Sequence, residues 1–201
     1  MINVIVIEDN DTIREGLKAL INDTEGYFCE AAYPNYKYLI ENINNLNVNV
    51  LLIDIGSSGR YGINAIKKIK SVVPGLMVLV LTLYEENDLI FDALCAGASG
   101  YLVKRTPPEK LLQAIQEAYY GGMPMSSGIA RKVINFFKQR SQLNIKNEQT
   151  LLTDCERDIL NKLVEGNSFK AIADSLLMNI EDMRFSFKNI YKKLHLQARI
   201  K

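Results

Sequence analysis

One histidine, three cysteines and no surplus of either charge leave little in the composition of this 201-residue chain to suggest a chemistry. Cys29, Cys95 and Cys155 are an odd number at no metal-ligand spacing, which excludes a complete disulfide framework and a legible zinc motif. Without a leader segment they read as reduced, mostly buried thiols of a cytoplasmic protein. His195, the one histidine, lies between Leu194 and Leu196 and reads as a packed or surface residue. Lys and Arg (24) nearly balance Asp and Glu (23), so any nucleic-acid surface must come from local clustering. No apolar run reaches the length of a membrane span; LMVLVLTL at 76–83 falls far short. Internal repeats and low-complexity tracts are absent as well.

What is present is alternation. Strand patterns at 2–7, 27–32, 50–54, 76–82 and 100–103 are separated by amphipathic segments, such as Ile13, Leu17, Leu20 and Ile21 at helical spacing. Leu111, Leu112, Ile115 and Ala118 make a fifth helix. Five β/α units with short connections predict an α/β fold over 1–122, a doubly wound parallel sheet covered on both faces. Gly121-Gly122-Met123-Pro124 breaks the pattern. IARKVINFFKQR (129–140) then reads as a basic linker helix and 141–150 as a polar linker, so that 123–150 joins two domains. From 151 to 201 the pattern is wholly helical.

In an open α/β sheet, ligands bind at the carboxyl ends of the strands. Glu8 and Asp9 follow the first strand; Asp54 ends the third, Thr82 the fourth, and Lys104 follows the fifth. The topology gathers all five at one edge. One pair of like charges at ~4 Å costs about 4 kcal/mol at an effective dielectric of 20, so three carboxylates there call for a cation and an ammonium group. All-oxygen ligation implies Mg²⁺. The alternative is that these residues merely cap helices and end strands. A phosphatase with a strand-end Asp nucleophile would need a second acid two residues later; Gly56 stands there, which weakens that enzyme reading.

The pattern IEDNDTIREGL, LLID…G, LVLT, ALCAGASGYLVK and KLLQAI resembles the receiver domain of two-component response regulators, over all of 1–122. The resemblance implies that Asp54 accepts a phosphoryl group from a sensor histidine kinase. It implies that Glu8, Asp9, Asp54 and the Gly56 carbonyl hold Mg²⁺. It further implies that Thr82 and Lys104 sense the phosphoryl group, and that Tyr101 changes rotamer on activation. The family commonly has Met-Pro or Leu-Pro where this chain has Ser57-Ser58. That departure reads either as a neutral loop substitution or as altered metal affinity and phosphoryl lifetime.

LLTDCERDILNKLVEG opens with a capping box, Thr153 with Glu156. Ser168 and Asn179 read as the next two N-caps. The last helix presents Met183, Phe187, Ile190, Tyr191 and Leu194 to a core. Its other side carries Arg184, Lys188 and Lys192 at i, i+4 and i+8, with Lys193 beside them. A basic stripe on the second helix of a helix-turn-helix suits a DNA major groove, though such a stripe is also the ordinary form of a solvated helix. LTDCERDIL…LVEGNSFKAIADSL…NIYKKLHLQAR resembles the LuxR-type (NarL/FixJ class) helix-turn-helix over 151–199. Asp182, Ser186 and Cys155 depart from the residues common there, and the chain ends where the family has a longer final helix.

Together these resemblances imply a cytoplasmic, phosphorylation-controlled transcriptional response regulator with no membrane partner. It would not be an enzyme beyond catalysing its own phosphoryl transfer and slow dephosphorylation. It would bind double-stranded promoter DNA through Arg184, Lys188, Lys192 and Lys193 and pair as a homodimer on phosphorylation. The alternatives are a regulator whose degenerate carboxyl-terminal domain binds protein instead of DNA, and a structural module with a vestigial phosphosite.

Overall fold

The computed structural model describes residues 1–43, 46–56, 60–144, 152–165 and 167–198. The chain divides into two units, Met1–Ser126 and Ser127–Lys201. In the first, strands β1 (Ile2–Ile7), β2 (Tyr27–Tyr33), β3 (Val50–Ile53), β4 (Met77–Thr82) and β5 (Gly100–Val103) alternate with five helices. These are α1 (Asp11–Asn22), α2 (Tyr36–Asn42), α3 (Arg60–Val72), α4 (Asn87–Ala96) and α5 (Pro108–Tyr119). All strand pairs are parallel, in the order β2-β1-β3-β4-β5. The doubly wound sheet read from the alternation is the one that forms.

The central strands are the most apolar, and that fixes their place. Every residue of β3 is buried, as only a strand covered on both faces can be. Val4, Val6, Leu52, Leu79 and Leu102 share a core with Ile21 of α1 and Leu111 and Ile115 of α5. Their neighbours Ile5, Leu51, Val80 and Tyr101 alternate to the opposite face and are equally buried. Each such aliphatic side chain contributes roughly 1.5–3 kcal/mol on burial.

Beyond α5 the chain returns to the open edge of β5. Tyr101 N donates to Pro124 O (3.0 Å) and Ser126 N donates to Tyr101 O (3.2 Å). Ser126 Oγ accepts from Val103 N (3.0 Å) and shares a hydrogen bond with Thr106 Oγ1 (3.1 Å). The segment thus satisfies polar groups that an edge strand would leave unpaired. Its close approach requires Gly100, where a Cβ would lie 2.5 Å from Pro124 O and 2.7 Å from Leu79 Cδ2.

The second unit holds α6 (Ser127–Asn144), α7 (Asp154–Val164), α8 (Phe169–Ser175) and α9 (Ile180–Ala198). Thr153 and Glu156 form the expected capping box, and Ser168 caps α8. Asn179 Oδ1 accepts from Asp182 N (2.8 Å) at the start of α9. Where the sequence reads as a linker helix over 129–140 and a polar linker from 141, the structure differs. The helix runs on to Asn144, and its aromatic residues join the core of the second unit. Phe137 packs edge-on to Phe187 (5.3 Å between ring centroids) and Phe136 lies 5.4 Å from Tyr191. Polar composition at 141–144 does not oppose helix once an aromatic face upstream anchors it. The rest of the polar stretch (145–150) lies outside the described residues.

Phe137 is fully buried, so Phe137→Ala is expected to destabilise the second unit by roughly 3–5 kcal/mol. Urea unfolding of a fragment spanning 127–201, followed by circular dichroism, measures this. A fragment spanning 150–201 should unfold at lower urea than the longer one; equal midpoints would show that α6 is only a tether.

Candidate functional site

The register of the sheet assembles the acidic edge. Ile7 lies opposite Ile53, so Glu8 and Asp54 each follow a matched pair. Asp54 N donates to Ile7 O (2.9 Å), which holds the start of the loop against β1. Thr82 lies opposite Val103, and Lys104 N donates to Thr82 O (2.8 Å), which fixes the lysine one residue beyond. Glu8, Asp9 and Asp54 each offer a carboxylate oxygen within 4.8 Å of the others.

Lys104 reaches both buried acids. Its Nζ donates to Asp54 Oδ2 (2.9 Å) and lies 2.9 and 2.7 Å from the two Glu8 oxygens. Burial pushes the Lys104 ammonium down, but the hydrogen bonds to Glu8 and Asp54 more than offset this and raise its pKa above the ordinary lysine value. For Glu8 burial wins: its side chain is 2% exposed, and its pKa lies above the usual carboxylate range despite Lys104 and the Asn10 N–H. Arg14 donates to the Glu8 carbonyl (2.9 Å) and to Asp11 (2.5 Å), pinning the turn that carries the acidic pair. Arg14 falls within the stretch IEDNDTIREGL, but pattern alone assigned it no role.

Asp9 is exposed, and its carboxylate has no hydrogen-bond partner among the described residues. Asp9, Asp54 and Gly56 line one cavity of about 190 Å³ together with Asn35, Tyr36 and Tyr61. Gly56 has φ +68°, a conformation that favours glycine and turns the chain two residues after Asp54. Two carboxylates, Asp9 and Asp54, and the Gly56 backbone on one cavity, with the Glu8 carboxylate within 4.8 Å of both, fit a hard divalent cation, which takes oxygen ligands. Glu8 stands behind them on the Lys104 side. The Ser57-Ser58 departure lies outside the described residues.

The other edge residues are packed. Thr82 is fully buried, and its Oγ1 accepts from Tyr84 N (3.4 Å). Tyr101 is fully buried with its ring inward, and its hydroxyl donates to Tyr84 O (2.9 Å). Burial, then the carboxylates of Glu86 and Asp54, push its phenol well above the ordinary tyrosine value. Thr82 and Tyr101 therefore grip the same residue, Tyr84. Arg105 and Glu85 form an ion pair joining the loops after β5 and β4.

In the second unit the four cations read as DNA contacts separate. Lys188 is half-buried and Lys192 exposed. The Arg184 side chain is 11% exposed and pairs with Glu181 at 2.6 Å. Lys193 donates to Glu156 Oε2 (2.6 Å), tying α9 to the capping box of α7. Burial would raise the Glu156 pKa, but the hydrogen bonds from Lys193 and Thr153 overcome it and hold the carboxyl below the usual range. Asp182 is exposed and accepts from Asn179 Nδ2 (2.7 Å). The burial that sequence pattern assigned to the thiols holds for Cys29; Cys95 is half-buried and Cys155 exposed. The His195 side chain lies outside the described residues. No helix among the described residues is long and apolar enough to cross a membrane.

Comparison with known proteins agrees with both halves. Residues 4–116 match the response regulator receiver domain, and residues 150–201 match the bacterial regulatory proteins of the luxR family. The chain is 31% identical to the transcriptional regulatory protein LnrK of Bacillus subtilis, over 99% of this chain and 93% of that one. It is 26% identical to the nitrate/nitrite response regulator NarP of Escherichia coli, over 98% and 90%. The fold is that of the RcsB response regulator of Salmonella typhimurium, with TM-score 0.60 and 23% identity over 96% of this chain and 92% of that one. A receiver at the acidic edge and a luxR-type helix-turn-helix beyond it place this chain in the LuxR family of two-component transcriptional response regulators.

Proposed function

We propose that Asp54 is the phosphoacceptor through which a sensor histidine kinase controls binding of α9 to promoter DNA. One observation carries the reading: Asp54 is held at the end of β3 by Lys104, with Glu8 and Asp9 alongside. An Asp54 oxygen forms the bond to phosphorus while the P–N bond of a phosphohistidine breaks, and the departing imidazole takes the electron pair. Asp9, Asp54, the Gly56 carbonyl and Glu8 are the residues that would hold Mg²⁺, and when bound it offsets charge on the transferring phosphoryl oxygens. The chain catalyses its own transfer by positioning, which is no turnover of an external substrate.

Lys104 neutralises Asp54 and Glu8 before transfer and is drawn to the phosphoryl oxygens after it. Thr82 donates its hydroxyl proton to the same oxygens. Because Thr82 and Tyr101 both bond Tyr84, moving Thr82 frees the Tyr101 hydroxyl and lets the ring adopt its second arrangement. The consequence for output is pairing into a homodimer that offers two helices to DNA, in the manner of two-fold helix-turn-helix proteins. Among the relatives, LnrK is itself a transcriptional regulatory protein.

Asp54→Asn is expected to abolish Mg²⁺-dependent labelling by acetyl phosphate, read by intact mass. Labelling of the variant equal to wild type would place the acceptor elsewhere.

Lys104→Ala removes the counter-charge of two buried carboxylates. It should lower the stability of the metal-free chain by roughly 3 kcal/mol, the order found when one partner of a buried pair is lost. Mg²⁺ should then raise Tm more in the variant than in wild type, and phosphorylation should no longer tighten DNA binding. Normal coupling in Lys104→Ala would overturn its sensing role.

The cations of α9 should separate in a salt titration. Lys188→Ala should reduce the slope of log affinity against log salt by about 0.9, as loss of one phosphate contact does. Lys193→Met should leave that slope unchanged, yet cost the second unit about 1 kcal/mol because it breaks a half-exposed pair. The Glu156 pKa is depressed in the folded state, so its stabilisation is present above the ordinary carboxylate value of 4.5 and is lost as pH falls through the lowered one. Acid unfolding of the second unit should therefore be less pH-dependent in Lys193→Met than in wild type.

A further inference from the structure

Helix α9 carries a large aromatic side chain where a helix of a folded unit has no packing use for one. Phe185 is 65% exposed, while Phe187, two residues on, is 1% exposed. At about 100° per residue, Phe185 points away from the face that buries Met183, Phe187, Ile190 and Leu194. Lys188, Asn189 and Lys192, at i+3, i+4 and i+7, lie on the same outward strip. Arg184 does not: it is turned toward the unit and neutralised by Glu181. With the exposed Glu181 and Asp182 at i−4 and i−3, the outward strip of the helix is thus acidic in its first turn, apolar at Phe185 and cationic further along.

Resting on the DNA-binding reading above, we propose that Phe185 is a specificity-determining residue that reads the 5-methyl group of a thymine in the major groove. The amino-terminal residues of the second helix of a helix-turn-helix meet base edges there. Thymine is the base whose major-groove edge carries an apolar group, and a phenyl ring is a recognised partner for it. A polar base edge opposite Phe185 would lose its water and gain no hydrogen bond, so cytosine at that position is disfavoured. Lys188 and Lys192 on the same strip bring the helix to the phosphates without encoding sequence. The cation that would otherwise select guanine, Arg184, is held by Glu181, which leaves the apolar contact to discriminate at this point.

The experiment begins with full-length phosphorylated protein and selection from random duplex DNA. Each thymine of the selected site is then replaced singly by deoxyuridine, which removes only the methyl group, and affinity is read by fluorescence anisotropy. At one position in each half-site the replacement should weaken wild type about fourfold, the effect of one buried methyl group. Phe185→Ala should bind the thymine and deoxyuridine duplexes equally, and Phe185→Leu should retain part of the difference. Circular dichroism of the variants checks that the helix is intact. The same deoxyuridine penalty in Phe185→Ala, or none in wild type, overturns the proposal. So does a Phe185→Ala protein that keeps the penalty but loses self-association in sedimentation, because the ring would then serve a second copy of the chain. If wild type retains no DNA at low salt, the DNA-binding reading itself fails, an outcome distinct from all of these.

Discussion

A parallel sheet has a single carboxyl-terminal edge, and every charge its strands deliver must be accommodated there. In this chain β1 and β3 each end in acid, in register, so Glu8 and Asp54 arrive side by side at the margin of the core. The offsetting ammonium comes from β5, with β4 intervening. That span is why the residue is lysine: its stem crosses β4, whose last residue is the small, buried Thr82, and its charge lands on both acids. Shortening the stem would strand two carboxylates in a poorly solvated site. The rest of the site follows from this contact. Glu8 is engaged by Lys104, whereas Asp9 and Gly56 face the open cavity, and Asp54 touches both sides. One side suits a resident ammonium and the other an incoming cation and phosphoryl group.

The same sheet also links the acidic edge to the end of the first unit. Thr82 and Tyr101 lie on adjacent strands and bond the same residue, Tyr84, one by its N–H and the other by its carbonyl. Tyr101 also pairs, through its own backbone, with Pro124 and Ser126, the last turn of chain before α6 begins. Packed elements of this kind have discrete arrangements and do not deform gradually. A residue bonded on both its side chain and its backbone is therefore suited to register, where the first unit ends, a change at the acidic edge.

Much of the fold was legible because it rests on short-range pattern. The buried run Val50–Ile53, the capping box of Thr153 and Glu156, and the edge set Glu8, Asp9, Asp54, Thr82 and Lys104 all follow from periodicity and from the topology it implies. What the pattern could not supply was partnership. Nothing within 129–140 says that Phe136 and Phe137 meet Tyr191 and Phe187, which lie some fifty residues away in sequence. Likewise a stripe at i, i+4, i+8 fixes an angular position but not what shares it. Arg184 has Glu181 three residues before it and Lys193 has Glu156 across the unit. The i, i+3 pair could have been anticipated; the Glu156 contact needed the tertiary structure. Counting cations thus overstated the basic surface of α9, and attending to cations left exposed Phe185 unnoticed.

The amino-terminal turn of α9 serves two masters electrostatically. Glu181 and Asp182 sit where the helix dipole is positive, and carboxylates there stabilise the helix by ~0.3–1 kcal/mol each. Asp182 also completes a reciprocal cap with Asn179, which fixes the entry of the chain into the helix. Those same carboxylates repel phosphate, by about 3 kcal/mol for charges ~5 Å apart at an effective dielectric of 20. Docking this helix therefore cannot rely on charge at its amino terminus. The attraction must come from further along, where Lys188 and Lys192 lie on the outward strip. At the acidic end a neutral contact is the form of recognition that costs least, since an apolar ring neither adds to the repulsion nor competes with Asn179 for Asp182. An exposed phenylalanine placed between a negative helix terminus and a positive helix body is consistent with that division: the stability of the helix is secured at one end, its affinity at the other, and its choice of sequence between them.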